Sequence, residues 1–353
     1  MKDSPVDGGA VSPEDRMKAV HTDSKAADDS ESKTGGQAVI EGVMMRSPVS
    51  TAVAVRTAGG RILARKLSMS QLTDRGGIWK KPVFRGAATL IDTLRLGMKA
   101  LNWSAEVADR SDDHVEKEKK GGSFATFLST AFAFLLAIVL FAWLPLHCSK
   151  WILESGSAAG AGNQFWIHLL AGLFRIAAFL IYLGAISFMP DVKRLFMYHG
   201  AEHQTIHAWE KGLRPLPEMA VGQSPLHQRC GTSFLLLVML GTVIFYGVFD
   251  SFVVLLTGAN PSALVRIIYH LPLIPLVMGL SYELLKLADR HLETSSLARA
   301  LTAPGLFLQK LTTRRAGLPE VEVAVASLWV SLGRDPGPEV DLVEEGEIPE
   351  EGA

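Results

Sequence analysis

Four long apolar runs, separated by polar segments, occupy the middle of the chain. Each is long enough for a helix to cross the hydrocarbon core of a bilayer, which needs about 20 apolar residues. The runs are approximately Phe124–Leu146, Phe165–Met189, Thr232–Leu256 and Leu264–Leu285. Pro272 and Pro275 interrupt the fourth run and free backbone carbonyls that neighbouring helices must satisfy. The pattern therefore predicts four transmembrane helices packed as one bundle.

The segment before the first run has the shorter periodicity of strands. Residues 35–46 are mostly apolar with glycines at intervals, and Thr51–Arg56 has the sequence Thr-Ala-Val-Ala-Val-Arg. Gly59 and Gly60 then mark a turn into Arg61–Arg65. We expect a small antiparallel sheet here. The predicted fold class is thus an α-helical membrane protein with four transmembrane helices and a small cytoplasmic N-terminal β-containing region.

A helix is predicted between this sheet and the first run, over Ala87–Leu101. Its apolar residues recur at helical spacing, with Arg95 and Lys99 on the opposite face. They are Leu90, Leu94, Met98 and Leu101. Such a helix either lies on the membrane surface or packs on the sheet, and we favour the membrane surface.

The two ends of the chain are polar. Residues 1–34 have no apolar core, so we expect a disordered tail and no signal peptide, and we expect the first apolar run to act as its own insertion signal. After the fourth run, Ala288–Leu311 is expected to be helical, and Glu320–Leu328 to be a last helix or an edge strand. Residues 331–353 are rich in acidic residues and predict a second disordered tail.

These patterns divide the chain into consecutive regions. We expect a cytoplasmic β-rich region with its helix over residues 35–120, a transmembrane region over 121–287 and a cytoplasmic C-terminal segment over 288–330. A histidine-bearing cytoplasmic loop, 190–231, lies between the second and third spans.

Basic residues beside the spans predict the orientation. Lysine and arginine are concentrated in cytoplasmic loops of membrane proteins. They cluster before the first span, between the second and third, and after the fourth: Lys117, Lys119, Lys120, Lys193, Arg194, Lys211, Arg214, Arg229, Lys286 and Arg290. The two remaining loops carry chiefly Lys150 and Arg266. Both termini and the long central loop are therefore expected in the cytoplasm of a cell whose inner membrane the protein spans.

Composition narrows the possible partners. The formal net charge is −1 and the sequence contains no P-loop, dinucleotide fingerprint or basic-aromatic surface, so nucleic acid is not an expected partner. The lipid bilayer is one partner, and the disordered tails could recruit proteins. The two cysteines, Cys148 and Cys230, fall at opposite ends of their spans on this topology. Because a disulfide needs α-carbons within about 7 Å, we expect none within the chain.

The central loop carries the candidate chemistry. His199, Glu202 and His203 form the pattern His-x-x-Glu-His, in which a helix brings both imidazoles to one face, where they can share a metal ion. Glu202 is then placed as a catalytic general base for metal-bound water. The simpler interpretation is a polar helix end that hydrogen-bonds to the N-terminal sheet.

The third ligand is left open by the sequence. His227 and Cys230 precede the third span and return to the same membrane face, and Glu283 lies at the cytoplasmic end of the fourth. Zinc is the expected cofactor; proteins bind it with three protein ligands in catalytic sites and with four in structural sites. His207 adds another imidazole four residues after His203. Each candidate also has a structural explanation: Cys230 as a small buried residue and Glu283 as the partner of a nearby Lys or Arg.

Two charged residues could support the site. Glu41 lies in a glycine-flanked segment, which suggests a constrained loop near the site, although a solvated turn is equally compatible. Arg229 could bind a phosphate or the Glu41 carboxylate, or could simply reflect the positive charge of cytoplasmic loops.

Four separated motifs resemble the YqhQ-like family of bacterial multi-pass membrane proteins. They are Gly36–Arg46, Tyr198–His203, His227–Phe234 and Leu311–Arg314, and the resemblance runs from about Gly35 to about Leu328. The family is a domain of unknown function, sometimes described as a predicted metal-dependent enzyme, so the resemblance implies an architecture and a set of suspected residues. Gln228 replaces a proline that is usual in the family between the His and the Arg-Cys pair, while His227 and Cys230 are kept.

Two functions fit these residues. One is a membrane-bound metal-dependent hydrolase that acts on a peptide, a lipid headgroup or a phosphoester. The other is a non-catalytic membrane scaffold or assembly factor whose histidine cluster is structural.

Overall fold

A computed structural model describes residues 34–81, 84–111, 123–154, 161–228, 230–259, 261–291 and 294–344. The predicted N-terminal tail, apart from Thr34, lies outside these residues, as do residues 345–353 and Arg229. The strands are β1 (Gly35–Val39), β2 (Gly42–Arg46), β3 (Thr51–Arg56), β4 (Ile62–Leu67) and β5 (Val340–Leu342). The helices are α1 (Phe84–Ser111), α2 (Ser123–Ile138), α3 (Leu144–Glu154), α4 (Ala161–Ile186), α5 (Pro190–Glu210), α6 (Pro217–Ala220), α7 (Gly231–Thr257), α8 (Ala263–Arg290), α9 (Ser296–Thr312) and α10 (Leu318–Ser331).

The N-terminal segment forms the predicted antiparallel sheet, in the order β1-β2-β3-β4-β5. Consecutive strands β1 to β4 pair antiparallel, and β5 joins the far edge parallel to β4. The turn between β1 and β2 places Glu41 at φ 51°, a left-handed conformation that a non-glycine residue rarely adopts. That turn fixes the side from which the Glu41 carboxylate leaves the sheet.

Both faces of the sheet are buried. Residues two apart on a strand share a face of the sheet. Val43, Met45 and Ala54 therefore face the same layer, to which α5 and α10 contribute. Their neighbours Met44 and Val53 face the opposite layer, which contains α1. The sheet therefore lies between α1 on one side and α5 with α10 on the other, as the middle layer of a core.

Helix α1 packs on this sheet through a different stripe from the predicted one. Leu96, Ala100 and Trp103 are buried against the strands. Leu94 and Met98 instead remain 68% and 49% exposed. Leucines occur on both sides of this helix, so periodicity alone did not identify the buried side.

In the part of the chain that the structure describes, four helical segments are long and apolar enough to cross a membrane, which is the number that the sequence predicts. They are Leu128–Leu153, Trp166–Ile186, Gly231–Thr257 and Val265–Arg290. The first runs from α2 through a π-helical turn at Val139–Trp143 into α3. Large apolar side chains cover the outside of these segments, including Phe132, Ile181 and Leu255. Such surfaces are stable in lipid and are rarely left exposed to water on this scale.

A polar cluster lies inside the bundle near the ends of α4, α7 and α8 that are remote from α5. Asp250 is fully buried, and its carboxylate accepts hydrogen bonds from Tyr269 and from His270 Nε2, the latter at 2.9 Å. His168 Nε2 lies 3.1 Å from the same carboxylate, and Arg266 Nε lies 3.9 Å from it. Two histidines, Tyr269 and Arg266 therefore surround the buried Asp250 carboxylate.

The C-terminal part differs from the expectations in two respects. Residues 340–342 form β5, so the expected disordered tail does not begin at 331. The strand forms because β4 has an edge with which it can pair and because Val343 is buried against the α1 side of the sheet. The segment expected to be one helix from Ala288 is divided between α8 and α9. The segment 320–328, which the sequence left open, is helical within α10. Cys148 and Cys230 are both free.

Candidate metal centre

Helix α5 carries one face of ionisable residues. Pro190 occupies its first turn, where its missing N–H costs no hydrogen bond. His199, Glu202, His203, His207 and Glu210 follow at spacings of three and four residues, so they lie along one side of the helix. The sequence thus contains two His-x-x-Glu pairs, eight residues apart.

Close contacts fix this helix against the rest of the fold. A Cβ on Gly200 would lie 1.7 Å from the carbonyl oxygen of Arg314, so only glycine permits this approach. Buried Gln204 donates to the carbonyl of Val221 at 2.7 Å and accepts from the N–H of Ala316 at 2.9 Å. The histidines therefore project from a rigid helix rather than from a loop.

The loop after α5 brings two further candidate ligands back to the same face. Cys230 caps the N-terminus of α7, and its sulfur accepts from the Thr232 N–H at 3.5 Å. Buried Gln309 of α9 binds both backbone groups of His227: its Oε1 accepts from the N–H at 2.9 Å, and its Nε2 donates to the carbonyl at 2.8 Å. One amide side chain thus fixes the position of His227.

His199, His203 and Cys230 converge on one point. Their ligand atoms all lie within 4.8 Å of one another, and His199 Nε2 lies 3.2 Å from Cys230 Sγ. The two imidazole rings are 4.5 Å apart between centroids. Of the sequence candidates for the third ligand, the structure places Cys230 in this group.

The other nitrogen of each ring is bound to a carbonyl. His199 Nδ1 donates to Thr312 at 2.8 Å, and His203 Nδ1 donates to Pro225 at 2.5 Å. A carbonyl only accepts, so both rings carry their proton on Nδ1 and present the lone pair of Nε2 to the common point. Histidines that bind metals have this arrangement, because the outer hydrogen bond fixes tautomer and orientation.

His203 presents a buried nitrogen lone pair that has no hydrogen-bond partner. The residue is 1% exposed, and its Nε2 is buried without a hydrogen-bond partner. Such an atom costs about 1–3 kcal/mol. Burial also lowers the pKa of His203 to about 2, so the ring is neutral and its lone pair is available at physiological pH. A cation bound at Nε2 would remove this penalty.

Glu202 is buried beside the group. Its Oε2 lies 3.9 Å from His199 Nε2 and 3.8 Å from His203 Nε2. Burial raises the pKa of this carboxyl, opposed by the nearby charges of His199 and His227 and by a hydrogen bond from the Gly36 N–H. Strand β1 therefore orients the carboxylate, and a Cβ on Gly36 would lie 3.0 Å from Glu202 Cγ.

These residues fit a divalent cation of the zinc type. Two imidazole nitrogens and one thiolate are a donor set that zinc prefers. Without metal, burial raises the pKa of the Cys230 thiol to about 11, so the sulfur is protonated. With metal, one thiolate and the Glu202 carboxylate would supply two negative charges to balance one divalent ion. The alternative without metal is a thiol hydrogen bond from Cys230 to His199.

A second group lies one to two turns further along α5. His207, Glu210 and His227 also place ligand atoms within 4.8 Å of one another. His227 Nε2 is 3.1 Å from Glu210 Oε2, and the rings of His207 and His227 are 4.6 Å apart. Burial lowers the pKa of His227, with Glu202 and Asp289 opposing that shift.

The remaining sequence candidates lie elsewhere. Glu283 belongs to neither group, since its carboxylate forms a two-point ion pair with Arg85 of α1, at 2.6 and 2.7 Å. Glu41 lies at the edge of the site, where its carboxylate pairs with Arg194 at 2.5 Å and accepts from the Tyr198 hydroxyl at 3.3 Å.

Two residues of this region were missed at the sequence level. Glu210 repeats with His207 the spacing of His199 and Glu202, and this repetition could have identified it. Gln309 had no such signal, because a buried amide in an apolar helix has no characteristic spacing.

Comparison of the sequence with known proteins identifies the family of the chain. A family described as a protein of unknown function (DUF1385) matches residues 81–333. The chain belongs to this family. The uncharacterized protein YqhQ of Bacillus subtilis (strain 168) is 35% identical over 301 residues, which cover 83% of this chain and 90% of that protein. The expected YqhQ-like membership is confirmed. No solved structure matches the chain.

Proposed function

We propose that the protein is a metal-dependent hydrolase of the cell membrane, with its active site on the cytoplasmic face. The observation that carries the proposal is the convergence of His199 Nε2, His203 Nε2 and Cys230 Sγ beside the buried carboxylate of Glu202. The outer nitrogens of both rings are bound to carbonyls, as in metal-binding histidines. Three protein ligands leave a fourth zinc position for water, the arrangement typical of catalytic sites.

The orientation rests on charge and on packing. Helix α5 lies between the spans α4 and α7, at the end of the bundle where basic residues flank the apolar segments. The sheet contacts α5 through β1 and β2, so it lies at the same end. Cytoplasmic placement of this end keeps both termini inside the cell.

Each residue of the group then has a specific role in hydrolysis. A bound divalent cation supplies the acidity that brings the pKa of a coordinated water to about 7. Glu202 holds or accepts the proton, since its carboxylate lies less than 4 Å from both ligand nitrogens and its raised pKa makes it a better base than a solvated carboxylate. Gly36 orients that carboxylate through its N–H, and Thr312 and Pro225 hold the two rings.

Burial of the site restricts its substrates. Glu202, His203 and Cys230 are all buried beneath the sheet and the loop that follows α5. Peptides, lipid headgroups and phosphoesters are the proposed classes of substrate, and the group to be hydrolysed must enter this buried site.

The experiment uses the full chain purified in detergent and a bacterial strain from which the YqhQ relative has been deleted. Glu202→Gln should keep the metal content of the wild type and fail to restore the deletion phenotype. His203→Ala should lose both metal and complementation. Glu218→Gln, an exposed carboxylate on α6, is the matched control and should behave as wild type. Complementation by Glu202→Gln would refute the catalytic role of Glu202.

One observation favours a scaffold instead. His199 and Cys230 satisfy each other at 3.2 Å without a metal, and Glu202 is bonded to the N-terminal sheet, so the cluster could serve only to join α5, α7 and β1. On that alternative Glu202→Gln has the same metal content as wild type, whether or not a metal is bound, and it complements, which is the outcome that separates the two functions.

A further inference from the structure

We propose that His207, Glu210 and His227 form a second divalent-cation site, distinct from the His199–His203–Cys230 centre. The group combines two residues of one helical turn with one residue of the loop that returns to it. All three ligand atoms lie within 4.8 Å of one another, which is close enough for a single ion to bind them after small side-chain rotations.

The supporting contacts are those of a metal site. His207 Nε2 donates to the carbonyl of Leu226 at 2.8 Å, which leaves Nδ1 with the lone pair. The backbone of His227 is held at both its N–H and its carbonyl by Gln309. Glu210 already approaches His227 Nε2 at 3.1 Å. Thus the His207 ring and the His227 backbone are each held by a neighbouring group, and the Glu210 carboxylate lies at the His227 ring nitrogen that would bind a cation.

The two sites differ in chemistry. The second offers two nitrogens and a carboxylate oxygen, a set without sulfur that suits zinc and also harder divalent ions such as manganese. It is more open to water as well, because the Glu210 side chain is 23% exposed whereas that of Glu202 is 6% exposed. The ion at the second site should therefore exchange with solution faster than the ion bound to Cys230.

The position of the second site gives it a structural consequence. Glu210 is the last residue of α5, and His227 precedes Cys230 by three residues. A cation shared by His207, Glu210 and His227 fastens the loop that delivers Cys230 to the first centre. The second ion thus supports the geometry of the first without sharing a ligand with it.

The test is cobalt titration of the full chain in detergent after removal of metal with a chelator. Cobalt bound to a thiolate gives an intense near-ultraviolet charge-transfer band, and cobalt bound only to nitrogen and oxygen does not. Wild type should bind two equivalents and show the band. Glu210→Gln and His207→Ala should each lose one equivalent and keep the band, whereas Cys230→Ser should lose one equivalent and the band.

Controls keep each outcome decisive. His291→Ala removes an exposed histidine outside both groups, and Glu218→Gln an exposed carboxylate; both should bind as wild type does. A variant that keeps the cobalt–thiolate band must be folded, because the band requires an intact first centre. Unchanged stoichiometry in both Glu210→Gln and His207→Ala would overturn the second site, and the Glu210–His227 contact would then be a simple hydrogen bond. Absence of the band in wild type would instead overturn the first centre, so the two failures are distinguishable.

Discussion

Substitution of Gly36 tests whether the N-terminal sheet positions the Glu202 carboxylate. A Cβ at this position would lie 2.4 Å from the carbonyl oxygen of Met44 and 3.0 Å from Glu202 Cγ. The first contact is with the backbone of the paired strand, so no side-chain rotation relieves it, and β1 must shift. Gly35 is the matched control, because a Cβ there meets nothing within 4 Å.

The expected cost of Gly36→Ala follows from two contributions. Overpacking of a close contact costs about 1–3 kcal/mol. A shift of β1 also weakens the hydrogen bond from the Gly36 N–H to the Glu202 carboxylate, and bonds to charged groups contribute about 1.5–3 kcal/mol. We expect the free energy of unfolding to fall by about 2–4 kcal/mol if the two losses partly overlap. Gly35→Ala should change it by less than about 0.5 kcal/mol.

Thermal unfolding in detergent, metal analysis and complementation together read out this substitution. Gly36→Ala should unfold at a lower temperature and retain metal, because none of the three ligands is on β1. It should complement poorly, because Glu202 has moved. If Gly36→Ala matched Gly35→Ala in both unfolding temperature and complementation, the sheet would have no part in placing Glu202.

Three further predictions concern separate parts of the molecule. Glu283→Gln should lower unfolding stability by about 1 kcal/mol, since its ion pair with Arg85 is partly exposed, and should leave metal content unchanged; loss of metal would make Glu283 a ligand after all. Burial raises the pKa of the Cys230 thiol to about 11, so metal binding should release a proton from it and the affinity for metal should rise with pH. Titration with an indicator dye would measure this, and a pH-independent affinity would argue against thiolate ligation. Asp250→Ala should lower stability by about 3–5 kcal/mol, because it leaves His168 and its neighbours without the buried carboxylate, while metal content stays the same; an unaltered unfolding temperature would contradict the assigned cluster.

The four candidate membrane-spanning helices and the sheet were predictable because both depend on local periodicity. Runs of about 20 apolar residues have few alternatives to a spanning helix, and Thr51–Arg56 with its following glycines has few alternatives to a hairpin strand. The buried side of α1 was less predictable, because leucines occur on both its faces and the choice depends on contact with Trp103 and the sheet. Strand β5 was missed for a related reason, since its pairing depends on the free edge of β4.

Only the part of the candidate site that lies on one helix could be predicted from the sequence. The spacing of His199, Glu202 and His203 placed them together because helical geometry fixes residues three and four apart. Cys230 rather than Glu283 lies beside the two histidines because of the way in which α7 and α8 pack, and the spacing of residues in the sequence does not indicate that packing. Gln309, which fixes His227, lies 82 residues away in the chain.

Zinc K-edge X-ray absorption on the purified full chain would show directly whether Cys230 and the two histidines bind a metal. We expect a sulfur scatterer at about 2.3 Å together with nitrogen at about 2.0–2.1 Å, and loss of the sulfur shell in Cys230→Ser. A protein that takes up no zinc, or whose zinc has only nitrogen and oxygen neighbours in wild type and Cys230→Ser alike, would contradict the metal centre.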